Sequence, residues 1–107
     1  MNQTDLQNYL SDRSALSRST TLFREAGLRT LLLHLNAGER IPEHQTRGAI
    51  VVHCLAGEGA FAGADDKVQL RPGVLISVPA AAPHSVIAGE KEDLLLLVTV
   101  SEAASGQ

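Results

Sequence analysis

The 107-residue chain has one cysteine, no tryptophan and only three aromatic side chains, Tyr9, Phe23 and Phe61. A lone cysteine excludes an internal disulfide framework. Cys54 sits among Val51, Val52 and Leu55, the company of a buried strand thiol rather than of an activated nucleophile. So few aromatics leave no platform for stacking bases, and a formal net charge of −3 supplies no basic field to track phosphates. Nucleic acid is therefore not an expected partner. Long apolar runs are also missing. Leu31–Leu33 and Leu94–Val98 fall far short of the roughly 20 residues that cross a bilayer, so no membrane partner is expected either. The polar start Met1–Leu10 lacks the apolar stretch of a secretory signal, and the expected location is the cytoplasm.

What is present is ordinary for a globular domain: 44% hydrophobic and 20% charged residues, with length for one core and not two. The first twenty residues are polar and rich in Ser, Thr, Asp and Asn, and they read as an extension (1–20) that wraps a single domain (21–107). A short helix over Thr4–Leu10 is expected, with Thr4 or Asp5 as its cap. Beyond it, short apolar runs at Thr21–Arg24, Leu28–Leu35, Ala49–Leu55, Val74–Val78 and Leu94–Val100 alternate with clusters of glycine and proline. Glycine supplies positive φ and proline fixes φ near a turn value, so this punctuation predicts an all-β sandwich or barrel. Asp65, Asp66 and Lys67 form the solvated tip of a hairpin between Phe61 and Val68, and Glu90–Asp93 reads as a charged loop before the last strand. That last strand is apolar on both parities through Val98, which suits a segment covered on both faces by the domain and by a second subunit.

Alternation along extended backbone sorts the four histidines. If His44 points inward, Thr46 does too, and Ile50, Val52 and Cys54 form a matching inward set, while His53 turns outward. His44 and His84 are the candidate functional pair.

The spacing around them resembles the two-part motif of the cupin superfamily. Gly38, His44 and Gly57 match the first part, with Thr46 and Ile50 departing from its second histidine and its glutamate. Gly73, Pro79 and His84 match the second part, with Ala81 and Ala88 departing from its glycine and asparagine. The likeness spans Leu28 to Val100, and the short stretch between Gly57 and Gly73 matches the small bacterial single-domain members. The resemblance implies a jelly-roll barrel, frequently a homodimer that pairs edge strands. It also implies that the positions of His44, Thr46, Ile50 and His84 jointly hold one divalent metal, such as iron, manganese, nickel, copper or zinc. The same barrel serves dioxygenases, isomerases, decarboxylases, sugar-binding sensors and storage proteins, so the fold does not choose an activity.

Two imidazoles alone make a poor metal centre, because catalytic zinc takes three protein ligands and non-haem iron adds a carboxylate to two histidines. His34, interrupting the leucines of Leu31–Leu35, is the first candidate for a third ligand, and Glu43 beside His44 the second. Two readings stay open. In one, His44, His84 and His34 bind a metal that acts as Lewis acid or oxygen-activating centre on a small organic metabolite. In the other the metal is lost, and an apolar pocket lined by Thr46, Ile50, Val52 and Cys54 binds a small molecule that the two histidines orient. The sequence leaves open whether the protein is an enzyme.

Overall fold

The computed structural model describes residues 1–102, so the last five residues of the expected 21–107 unit lie outside it. One short helix, α1 (Gln7–Ser11), precedes nine strands: β1 (Ser19–Glu25), β2 (Leu28–Leu35), β3 (Arg40–His44), β4 (Ile50–Ala56), β5 (Gly59–Ala62), β6 (Lys67–Leu70), β7 (Leu75–Val78), β8 (His84–Ala88) and β9 (Leu94–Ser101). They form two antiparallel sheets. The first has five strands in the order β1-β2-β9-β4-β7, and the second has four in the order β3-β8-β5-β6. This is the jelly-roll architecture of the all-β expectation. Among the described residues, no helix is long and apolar enough to cross a membrane.

Every apolar run singled out in the sequence lies within or overlaps a strand. The hairpin tip at Asp65–Lys67 joins β5 to β6, with Phe61 opposite Val68. The strands that composition does not single out include β3 and β8, both short and bounded by proline or glycine. β3 contains Pro42, which cannot donate to a ladder, and accordingly β3 lies at a sheet edge with its register broken between Ile41 and His44. The helix starts later than the expected Thr4–Leu10. Asp5 still serves the start of the helix, its Oδ1 accepting the Gln7 amide at 2.9 Å.

The core lies between the two sheets. Leu31, Leu35, Ile50, Val52, Cys54, Leu96 and Val98 from the first meet Phe61, Leu70, Val86 and Ala88 from the second. Burial of each large apolar side chain contributes on the order of 1.5–3 kcal/mol, which is why strand parity, and not propensity, decides what faces inward. Gly57 makes the crossing from the first sheet to the second possible. Its φ is +86°, and a Cβ there would stand 2.0 Å from the Asp93 carbonyl oxygen, so only glycine fits.

β9 is a central strand, and Leu94, Leu95 and Leu96 are all buried. Leu95 of β9, opposite His34, and Leu32 of β2, opposite Leu97, are fully buried yet stand apart from the inter-sheet core, on the outer face of the first sheet. The N-terminal extension covers this region: Arg13 Nε pairs with Asp93 at 3.3 Å, and the Arg18 carbonyl accepts the His34 amide at 2.8 Å.

Candidate functional site

The inner faces of the two sheets do not close completely against each other. They leave a cavity of about 160 Å³ toward one end of the barrel. Leu31 and Leu33 of β2, Ile50 and Val52 of β4, and Leu96, Val98 and Val100 of β9 form one wall. Ile41 and His44 of β3, Phe61 of β5, and His84 and Val86 of β8 form the other, with Thr46, Ser19 and Arg29 completing the lining. The register explains the layering: Leu31 stands opposite Val98, which stands opposite Val52.

His44 and His84 are cross-strand partners at the ends of β3 and β8. Their rings meet edge to face, with centroids 4.3 Å apart and planes at 64°. Phe61 stacks on His84, with a centroid separation of 5.6 Å and an angle of 8°. His84 is the one buried polar side chain among the described residues, 3% exposed, whereas His44 lies at the open end of the pair. Each ring is anchored in the same way. Nδ1 of His44 donates to the Pro42 carbonyl at 3.1 Å, and Nδ1 of His84 donates to the Ala82 carbonyl at 3.0 Å. A carbonyl oxygen can only accept, so Nδ1 carries the proton in each ring. Nε2 is then the nitrogen left for a ligand, and in the neutral ring it is an acceptor. Burial holds the His84 pKa below the ordinary imidazole value, and the neighbouring His44 adds to this while the Ala82 carbonyl opposes it. Burial thus favours the neutral form of the His84 ring.

The loop that delivers His84 is tied to the one that follows His44. The Ala81 amide donates to the Thr46 carbonyl at 2.8 Å, and Ala81 adopts a φ of +66°, the left-handed region, at a position where the resembling motif has glycine. Thr46 reaches the cavity, but its hydroxyl donates to the Gly48 carbonyl at 3.0 Å.

The other candidates fall elsewhere. Val52 and Ile50 line the cavity, whereas Cys54 continues their face into the fully buried core. Burial pushes the Cys54 thiol pKa up, opposed by a contact to Ala56. His34 is not brought to the histidine pair. Leu31, Leu33 and Leu35 take the inner face of β2, so His34 lies on the outer one, where its Nε2 meets Asp93 Oδ2 at 2.8 Å. Asp93 is not merely a solvated loop residue, because it joins Arg13 of the extension to His34 of the sheet. Glu43 lies exposed on the broken edge of β3 and is not part of the cavity wall. His53 stands on the opposite parity to Val52 and Cys54.

Much of the cavity wall escapes the sequence reading, Phe61 and Arg29 included. Phe61 reads there only as a hairpin flank, and Arg29 carries no motif. The signal for Arg29 is its parity, shared with Leu31 and Leu33.

As a metal centre, the donors that meet here are two imidazoles. The Thr46 hydroxyl is committed to backbone, Ile50 offers a hydrocarbon, and among the described residues no group of three or more His, Cys, Asp or Glu side chains is placed to hold an ion. This donor set falls short of the three protein ligands of a mononuclear catalytic site and does not fit one.

Residues 31–100 match the family model described as a cupin domain. The TT1209 protein of Thermus thermophilus is similar at 25% identity and a TM-score of 0.80, with 94% of this chain and 97% of that one covered. A cupin superfamily protein of Desulfitobacterium hafniense is 24% identical with a TM-score of 0.70, over 78% of this chain and 74% of that one. A putative mannose-6-phosphate isomerase of Ralstonia eutropha shares the fold at 22% identity and a TM-score of 0.73, over 79% and 83% of the two chains. No curated protein sequence matches the chain.

Proposed function

This chain belongs to the cupin family, and we propose that its barrel binds a small organic molecule without a protein-held metal, His44 and His84 orienting it. The observation that carries this reading is the shared anchoring of the two rings. Both Nδ1–H groups are spent on backbone carbonyls, which presents acceptor nitrogens beside a largely apolar cavity. A neutral acceptor in such surroundings selects a ligand with a hydrogen-bond donor, a hydroxyl above all, because an analogue lacking the donor would leave a desolvated nitrogen unpaired. The apolar wall selects a hydrocarbon remainder, and the modest volume limits it to a short one. The stack of Phe61 on His84 supports the reading further, since it holds the buried ring in one orientation.

Carbonyl-anchored imidazoles also suit metal ligation. The test therefore has two arms. Short alkanols and α,ω-diols are titrated into the purified protein by calorimetry, with His84→Ala in parallel, while metal content is measured on wild type and on His44→Ala. The expected outcome is saturable binding of a diol that weakens about tenfold or more in His84→Ala, the scale of a buried hydrogen bond. Near-stoichiometric metal in wild type that disappears in His44→Ala would replace this reading with the metal one.

A further inference from the structure

The cavity wall carries one permanent charge, the Arg29 guanidinium, and no carboxylate. Arg29 alternates with Leu31 and Leu33 along β2 and so faces inward. Its place along the barrel follows from the register. Arg29 stands opposite Val100, Val100 opposite Ile50, and Ile50 opposite Val78. This layer is the end of the first sheet that connects to the histidine pair: Ile50 follows His44 across a short loop, and Val78 precedes His84 across another. Arg29 and the two imidazoles therefore share one end of the cavity wall.

The guanidinium is poorly satisfied. Nη1 reaches Thr21 Oγ1 only at 3.5 Å, and Nε is buried with no hydrogen-bond partner among the described residues. The carboxylate beside it, Glu102, holds Oε2 at 3.6 Å from Nε, within ion-pair range but too far for a hydrogen bond. Glu102 is also shared, since its Oε1 accepts from Arg24 Nε at 3.3 Å. Two guanidinium groups against one carboxylate leave this cluster with one positive charge, and Arg29 has planar donors to spare.

Resting on the reading of the cavity as a small-molecule site, we infer that the ligand is a short hydroxy carboxylate, its carboxylate docked on Arg29 and its hydroxyl donating to Nε2 of His84. The two recognition groups stand at one end, and the apolar side chains lining the rest of the cavity take the hydrocarbon. A diol of equal length would satisfy the histidine but leave the guanidinium as it is.

The test titrates the full chain at low salt with ω-hydroxybutanoate, ω-hydroxypentanoate and ω-hydroxyhexanoate, each beside its matched diol. The expected result is that one or more carboxylates bind about tenfold or more tightly than the matched diol, as a charge-assisted contact requires. Arg29→Gln should erase that advantage, bringing carboxylate affinity down to that of the matched diol. Glu102→Gln should strengthen carboxylate binding severalfold, because it removes the competing anion, and this variant keeps the inference testable if Arg29→Gln folds poorly. Carboxylates that bind no tighter than diols overturn the inference and leave the cavity reading standing. An Arg29→Gln variant that weakens diols and carboxylates alike also overturns it, showing a role in barrel structure. If neither series binds, the cavity reading fails as well.

Discussion

Replacing Ala81 by glycine should stabilise the domain, and the size of the effect can be worked from its backbone. Ala81 holds a φ of +66° while its side chain is exposed, so the methyl group adds no buried contact to offset the conformation. The left-handed region costs an L residue roughly 1–2 kcal/mol. Glycine avoids that cost but loses about 0.5–1 kcal/mol more conformational entropy on folding. The net expectation is a gain of about 0.5–1 kcal/mol, or a rise in Tm of roughly 2–6 °C for a domain of this size. Ala81→Val should move the other way, by about 1–3 kcal/mol, because a branched Cβ fits the left-handed region worst. Urea unfolding followed by circular dichroism measures both, with an unchanged slope confirming that stability and not compactness has shifted. The hydrogen bond from the Ala81 amide to the Thr46 carbonyl needs no side chain, so the loop carrying His84 should keep its place in the glycine variant. A glycine variant less stable than wild type, or a valine variant equal to it, would refute the assignment of positive φ at this position.

Burial of His84 predicts a pH dependence of stability. Its folded pKa lies below the unfolded value of about 6.5, so the unfolded chain takes up the proton first. The contribution of the neutral ring is fully present above about pH 6.5 and is lost as pH falls from there toward the folded value. His84→Leu should remove this component, and denaturation series at stepped pH should show a flatter acid limb than wild type; parallel limbs would contradict the burial argument. His34→Ala should cost about 1–2 kcal/mol through loss of the bond to Asp93, which then leaves Arg13 as the remaining partner of that carboxylate. Binding in the cavity should stay within about twofold of wild type in that variant. A loss of ligand or metal by His34→Ala would return His34 to the site.

Much of this molecule is legible in the chain because period-two alternation and turn chemistry are local properties. The runs at Leu28–Leu35, Ala49–Leu55 and Leu94–Val100 announce inner strands, and Gly38, Gly57 and Gly73 all take positive φ where the chain turns. The spacing of those glycines with His44 and His84 resembles the cupin motif, and the barrel was what that resemblance implied. The alternation that puts Ile50, Val52 and Cys54 on one face applies equally to β2. There the same rule turns His34 outward and Arg29 inward, against the expectation that His34 supplies a third ligand.

Other features belong to the tertiary structure alone. That Asp93 would pair with His34 and Arg13, and not simply face water, depends on where the N-terminal extension lies over the sheet, and nothing in the local sequence fixes that path. β3 and β8 are too short and too interrupted by Pro42, Pro83 and Gly89 to declare themselves, and they become strands because neighbouring chain supplies their hydrogen bonds. The proton positions on the two imidazoles are likewise set by the Pro42 and Ala82 carbonyls, which only the folded loops bring within reach of Nδ1. Sequence alone determined the all-β character, because turn chemistry and side-chain alternation are local, and the resemblance of its spacing pointed to His44 and His84; that the two stand opposite each other followed from the pairing of β3 with β8. What surrounds those histidines, and hence what they can bind, was decided by the packing of one sheet against the other, which brings together residues far apart in the chain.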